Sequence, residues 1–251
     1  RQIGKACRKV ATKIAGGDVE DTIEVVGDEV KEFLGKPRYR FEAALRTERP
    51  GVATGLAWTP TGGEVIFVEA AKMPGKNNEL ILTGKLVDVM QESARIVLSY
   101  VEAYAESLGL DGELEKDKIH LHIPSGAVPK DGPSAGITLV TALVSLLSGR
   151  TVRSDVAMTG EVTLQGQVLP IGGVKLKVMA AHRAGLEKVL LPKLNEIDIE
   201  DIPEAVRDDM EIILVEDIQD VLENALEPLE QTEMEEAKEP IPEPEPEVVL
   251  S

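Results

Sequence analysis

The chain has 251 residues, of which 43% are hydrophobic and 29% charged, as in a soluble globular domain with room for a small companion. The net charge of −18 and the 3% of aromatic residues argue against a nucleic-acid surface, so we expect no DNA binding by this chain. One cysteine, Cys7, excludes a disulfide framework, and three histidines are too few to indicate a metal centre. No run of about 18 apolar residues predicts a membrane span.

The first 50 residues are predicted to form a small helical piece and a linker. Apolar residues at helical spacing over residues 2–14 indicate an amphipathic helix, which the following glycine pair ends. A short strand and a second helix are predicted to follow, up to Gly35. Residues 36–50 are charged and contain two prolines, which is typical of a linker. Because Arg1 lies inside the first predicted helix, we expect the chain to be a fragment of a longer protein.

Residues 51–226 are predicted to form one domain in which strands and helices alternate. This alternation indicates the α/β (α+β) class. The charge-free segment 134–147 is predicted to be a helix buried on most sides. The other predicted elements are strands within 52–82, a long helix at 85–108, strands at 120–123, 155–159 and 167–170, a helix at 174–184, strands at 188–191 and 211–215, and a helix at 217–226.

Residues 227–251 form an acidic, proline-rich tail. They contain nine Glu and one Lys, so they carry a net charge of −8 out of the total of −18. A segment with so few apolar residues cannot bury enough surface to offset the entropy of ordering, so we predict that the tail is disordered.

Residues 132–136 (Gly-Pro-Ser-Ala-Gly) lie where a predicted loop meets the buried helix. The hydroxyl of Ser134 is therefore expected near unpaired N–H groups and the positive end of the helix dipole, where a developing oxyanion would be stabilised. Because Pro133 has no N–H, the donors would come from Ser134 and from the loop around Asp131 and Gly132. Taken alone, a serine at a helix start is most often a cap, and glycine-rich turns before helices often bind phosphate.

A serine nucleophile needs a base, and lysine can act as one if burial keeps its amine uncharged. Lys175 and Lys177 are the candidates, and only one of them can be buried because they point in nearly opposite directions on a helix. The small residues that share the stripe of Lys177 favour it without deciding the choice. We expect His120 and His122, on a predicted strand, to have a packing role.

Several long motifs resemble those of the Lon proteases of the bacterial cytosolic (A) type. The resemblance covers residues 1–226 and is strongest at 129–136 (Pro-Lys-Asp-Gly-Pro-Ser-Ala-Gly). It continues at 158–161 (Met-Thr-Gly-Glu) and at 167–177 (Gln-Val-Leu-Pro-Ile-Gly-Gly-Val-Lys-Leu-Lys). Motifs of this length in this order make chance similarity very improbable.

The resemblance implies roles for five residues. Ser134 would be the nucleophile and Lys177 the general base of a Ser–Lys dyad. Thr159 matches a threonine whose hydroxyl helps to orient the lysine amine. Asp131 and Gly132 belong to the loop before the serine, which shifts between open and occluding arrangements in this family.

The resemblance also implies an ATP-dependent serine endopeptidase that acts in protein quality control. Residues 1–35 would be the end of an AAA+ helical subdomain, followed by a Lon-type proteolytic domain. No G-x-x-x-x-G-K-S/T sequence occurs, so ATP and Mg²⁺ would be used by a module outside these residues, and no cofactor is expected in this fragment. The expected partners are unfolded or misfolded protein substrates and copies of the chain in a six-membered ring. The expected location is the cytoplasm.

Two other hypotheses remain. The chain could be a non-catalytic Lon-like module that serves ring assembly or ligand binding, although both dyad positions are occupied. It could instead hold phosphate at residues 132–136 in a kinase-like fold, but the sequence offers no carboxylate cluster for Mg²⁺.

Overall fold

The computed structural model describes residues 2–17, 33–34, 47–59, 61–75, 79–110, 117–124 and 129–228. The chain divides into two compact units, residues 1–42 and residues 43–251. In the first unit, helix α1 (Gln2–Ala15) confirms the predicted helix. The predictions for residues 18–32, for the linker before residue 47 and for the tail after residue 228 lie outside the described residues.

The second unit is built on a seven-stranded mixed sheet and a small hairpin. Its strands are β1 (Val52–Thr59), β2 (Gly62–Pro74), β3 (Leu80–Thr83), β4 (Asp117–His122), β5 (Val156–Met158), β6 (Glu161–Val162), β7 (Val168–Leu169), β8 (Lys188–Pro192) and β9 (Glu211–Val215). The order in the large sheet is β3-β4-β2-β1-β5-β8-β9, and β6 pairs with β7 in the hairpin. Strand β2 is antiparallel to β1 and β4, and the other pairs in the large sheet are parallel.

Five α-helices and one 3₁₀-helix alternate with these strands in the described part of this unit. They are α2 (Asp88–Ala103), α3 (Gly136–Ser148), α4 (Val174–Arg183), the 3₁₀-helix (Lys193–Asp201), α5 (Glu204–Asp209) and α6 (Ile218–Ala225). This architecture confirms the α/β (α+β) class. Across the ranges that the structure describes, no helix has the length and apolar character needed to cross a membrane.

Several elements differ from the sequence predictions, among them the short strand β6 (Glu161–Val162), which was not predicted. The helix predicted over 85–108 is shorter because Leu86 pairs with Lys130 and holds the chain extended before α2. The 3₁₀-helix and α5 were not predicted, since their apolar residues follow no clear helical period.

Both faces of the sheet are buried at the parallel strands β5 and β8. In β8, Val189, Leu190 and Leu191 are all fully buried, but they alternate between two hydrophobic clusters. The cluster of Leu190 includes residues of α2, α3 and α6, whereas that of Val189 and Leu191 includes residues of α4 and α5. Successive strand residues point to opposite faces, so a continuous apolar run is expected where helices cover both sides. The sheet therefore separates α3 from α4.

Helix α3 confirms the prediction of a buried, charge-free helix. Its first ten residues, from Gly136 to Ser145, are all buried. It begins two residues later than predicted, so Ser134 lies in the turn that precedes it. A buried helix without a charged face has little freedom to move, and it gives that turn a rigid support.

Helix α4 lies unusually close to β2 because Gly63 has no side chain. A Cβ added at Gly63 would lie 1.9 Å from the carbonyl oxygen of Leu176, which is a backbone atom that cannot rotate away. The guanidinium of Arg183 donates to the carbonyl oxygen of Gly63 at 2.9 Å. Gly63 therefore fixes the distance between the sheet and the helix.

We expect Gly63→Ala to lower the free energy of unfolding by about 1–3 kcal/mol, because the methyl group forces α4 away from the sheet. Gly172→Ala is the matched control, since a Cβ there meets nothing within 4 Å. Urea denaturation of both variants measures the effect. Equal midpoints for the two variants would contradict the close approach.

Candidate active site

Ser134 lies in a turn that ends at the start of α3. The N–H of Gly136 donates to the carbonyl oxygen of Pro133 at 3.0 Å and closes this turn. Ser134 is half-buried, and neither its hydroxyl nor its N–H has a hydrogen-bond partner among the described residues. The side chain therefore combines an accessible oxygen with a free backbone donor beside it.

The backbone of Ser134 is tied to the segment after β5. The N–H of Gly160 donates to the carbonyl oxygen of Ser134 at 2.9 Å, and the N–H of Ile137 donates to the carbonyl oxygen of Gly160 at 3.1 Å. Gly136 allows this approach, because a Cβ there would lie 2.8 Å from the backbone nitrogen of Val162. Because Gly136 has no side chain, the serine turn can lie against the segment that follows β5.

Lys177 is buried, with 1% of its surface exposed, whereas Lys175 is exposed. Both lie in the first turn and a half of α4, and they project from opposite sides of it. The Nζ atom of Lys177 donates to Oγ1 of Thr159 at 2.9 Å. Of the two lysines between which helical periodicity did not decide, Lys177 is therefore the buried one.

Burial lowers the pKa of Lys177 from 10.5 to about 8. Removing an ammonium group from water disfavours the charged form, and no acidic side chain in the described ranges forms an ion pair with Lys177 to offset that cost. With a pKa of about 8, roughly a tenth of the molecules carry the uncharged amine at pH 7, and about half do at pH 8. An uncharged amine is a base.

Thr159 connects the lysine to the serine turn. It is fully buried, and its Oγ1 donates to the carbonyl oxygen of Ser134 at 3.1 Å while it accepts from Nζ of Lys177. Because the hydroxyl proton is committed to that carbonyl, the threonine cannot donate to the lone pair of the neutral amine. The lone pair of Lys177 stays available for another proton.

The loop before the serine turn carries Asp131 and Gly132. An Asp131 carboxylate oxygen accepts from the N–H of Gly132 at 2.9 Å, so this donor is occupied in the structure. Gly132 has a φ of 102°, a conformation that glycine adopts without strain. No contact joins Asp131 to Lys177 in the described residues. The loop is thus close to Ser134 in the chain but separate from the Lys177–Thr159 pair.

The two strand histidines form a separate group. The hydroxyl of Thr83 is shared by Nε2 of His120 at 2.9 Å and Nδ1 of His122 at 2.7 Å. These contacts link β3 to β4 and involve none of the site residues above. In the stretches of chain that the structure describes, no three His, Cys, Asp or Glu side chains are grouped so as to hold a metal ion.

Asn195 is a buried polar residue that the sequence analysis did not single out. It lies in the 3₁₀-helix with 4% of its surface exposed, and it binds the backbone of Ile171, close to α4. The one available signal was an asparagine shortly after a buried strand and a proline, which is more commonly a turn residue.

Comparison with known proteins identifies the family. The sequence model of the Lon protease (S16) C-terminal proteolytic domain matches residues 24–228. The chain is 52% identical over 227 residues to Lon protease 1 of Sorangium cellulosum, and 54% identical over 228 residues to Lon protease 2 of Myxococcus xanthus. These alignments cover 90% of this chain but only 28% and 27% of the relatives.

A third relative gives the same picture. Lon protease of Mycolicibacterium smegmatis is 53% identical over 228 residues, which cover 91% of this chain and 29% of the relative. The chain thus spans well under a third of the length of the curated relatives it matches. With the family model aligned to most of its residues, the chain belongs to the family of Lon protease (S16) C-terminal proteolytic domains.

Proposed function

We propose that this chain is a serine endopeptidase domain in which Ser134 is the nucleophile and Lys177 the general base. The observation that carries the proposal is the buried Nζ of Lys177, hydrogen-bonded to Thr159, whose own proton is held by the carbonyl oxygen of Ser134. This arrangement supplies a desolvated amine with a free lone pair beside the turn that bears the serine hydroxyl.

The proposed reaction is acyl transfer through Ser134. Lys177 takes the hydroxyl proton as Oγ attacks the peptide carbonyl, and the N–H of Ser134 donates to the developing oxyanion. The ammonium of Lys177 then protonates the leaving amine, and water cleaves the acyl-enzyme by the same proton route. Ser134 Oγ and Lys177 Nζ are not hydrogen-bonded in the structure, and such contacts commonly tighten when substrate binds.

Thr159 and the loop would support this chemistry. Thr159 would orient the amine, and Asp131 would shape the loop by holding the N–H of Gly132. A change in that contact would free a second donor for the oxyanion.

The proposal extends to the longer protein. Residues 1–35 would close an AAA+ helical subdomain, 36–50 would be a linker, 51–226 the proteolytic domain and 227–251 a disordered tail. The whole would form an ATP-dependent hexameric ring that degrades misfolded and regulatory proteins in the cytoplasm. The relatives are Lon proteases of which this chain covers 28% and 27%, and this supports the part of the extension that places these residues in a longer protease. These residues contain no phosphate-binding loop of the G-x-x-x-x-G-K-S/T type, so ATP would be used by another part of the longer protein.

We expect Ser134→Ala to lower cleavage of an unstructured fluorogenic peptide by more than about 10³-fold, because the paired groups act as a unit. The thermal midpoint should change little, since the hydroxyl has no hydrogen bond to lose. Ser107→Ala, a serine whose hydroxyl caps an exposed turn, is the control and should cleave normally. Unchanged cleavage by Ser134→Ala would contradict the assignment of Ser134 as the nucleophile. No cleavage by the parent chain under the same conditions would favour the alternative, a non-catalytic ring-forming or ligand-binding module.

The rate should follow the titration of Lys177. Because the free amine is the base, kcat/KM should rise as the pH passes up through about 8 and should level off above it. A pH–rate profile for the peptide measures this dependence. A rate that falls as the pH rises from 7 to 9, at constant folded fraction, would contradict the role of Lys177.

Lys177→Met should remove activity but stabilise the fold. With a pKa of about 8 in the folded state and 10.5 otherwise, the buried lysine costs stability on the order of 3 kcal/mol below pH 8. The cost decreases between pH 8 and 10.5 and is absent above that window. Urea denaturation at pH 7 and pH 10.5 tests this sign, and a variant that is destabilised at pH 7 would contradict it.

Thr159→Val should lower kcat by about 10-fold with little change in KM, because the amine loses the acceptor that orients it. Thr159→Ser keeps the hydroxyl and should stay within about threefold of the parent chain. Steady-state kinetics on the same peptide compare the two. Equal kcat values for the valine and serine variants would show that the hydroxyl does not orient Lys177.

A further inference from the structure

The side-chain amide of Asn195 pairs with both backbone groups of Ile171. Its Oδ1 accepts from the N–H of Ile171 at 2.9 Å, and its Nδ2 donates to the carbonyl oxygen of Ile171 at 2.9 Å. Nδ2 also donates to a carboxylate oxygen of Asp198 at 2.6 Å. Because a carboxylate only accepts, the amide has one possible orientation, the one that matches Ile171.

Ile171 begins the short loop that leads into α4. Two residues later, Gly173 has a φ of 75°, and a Cβ there would lie 2.7 Å from the ring of Trp58. The carbonyl oxygen of Gly173 accepts from the N–H of Lys177 at 3.0 Å, so this loop sets where the first turn of the helix begins. A shift of the Ile171 backbone would therefore also shift Lys177, which lies six positions further along the chain.

We propose that Asn195 is a positioning residue that clamps the Ile171 backbone and thereby holds the Lys177 amine against Thr159. The inference rests on the proposed function and deepens it, because it names a residue of the 3₁₀-helix that keeps the proposed base in position. Gly63 sets how closely α4 approaches the sheet at Leu176, and Asn195 fixes the loop that precedes the first turn of α4.

Loss of the clamp has two consequences for the site. The N–H and carbonyl of Ile171 lose their buried partner, so the loop moves to find water, and α4 moves with it. A displacement of about 1 Å at Nζ is enough to break the 2.9 Å contact with Thr159 and to cost about 10²-fold in rate.

The test uses Asn195→Ala and Asn195→Asp in the full chain, with the peptide assay. Asn195→Asp keeps the volume and the acceptor for Ile171 but replaces the donor, so it remains informative if the alanine variant folds poorly. We expect kcat to fall about 10- to 100-fold in both, with KM within threefold, and the pH–rate midpoint to move upward as water reaches the amine.

Ile202→Ala is the matched control for lost stability. Ile202 is 2% exposed and directly follows the same 3₁₀-helix. It packs in the hydrophobic cluster that includes residues of α4 and α5, and it makes no hydrogen bond to Ile171. It should lose stability but keep kcat and the pH profile at a temperature where it is fully folded. An equal loss of kcat in Ile202→Ala, or an unchanged kcat and profile in the folded Asn195 variants, would overturn the proposal.

Two measurements separate this inference from the proposed function. Hydrogen exchange of the Ile171 amide should be faster in Asn195→Ala, and the titration midpoint of the Lys177 amine, followed by NMR of labelled lysine, should rise. Neither measurement needs catalysis. If peptide cleavage did not depend on Ser134, the proposed function would fail, and an unchanged Lys177 midpoint would still overturn the clamp.

Discussion

The proposed site depends on one polar contact inside an apolar region, the hydrogen bond from the buried amine of Lys177 to Thr159. A lysine that is 1% exposed and has no acidic partner among the described residues is costly to keep charged, so its environment favours the neutral form. Desolvation alone would lower the pKa of the amine but would not fix the orientation of the amine. The threonine supplies that orientation, since its hydroxyl can accept from the amine but has no proton left to give.

Helices cover both faces of the sheet, and this arrangement explains how Thr159 contacts both the serine turn and Lys177. Strand β5 ends at Met158, and Thr159 follows it at the edge between the two helical layers. The serine turn precedes α3 on one face, and the lysine comes from α4 on the other. Thr159 is bonded to both, so the register of a three-residue strand sets the relation between two helices that the sheet otherwise separates.

Local sequence predicts much of this arrangement, but not the contacts that connect distant segments. The charge-free run of α3 and the alternation of strands and helices are visible because burial leaves a direct pattern of residue types. The choice between Lys175 and Lys177 follows only weakly from periodicity, because both lysines fit a helix and burial depends on β2 and Thr159. The Asn195 clamp and the close approach at Gly63 leave no periodic signal, since each joins residues more than 20 positions apart.

The most direct test of this account is the titration of the Lys177 amine itself in the intact chain, followed by NMR of isotopically labelled lysine and assigned by Lys177→Arg. We expect a midpoint near 8, well below the ordinary lysine value of 10.5. A midpoint near 10.5 in the folded protein would mean that burial does not favour the uncharged amine, and it would contradict the assignment of Lys177 as a base.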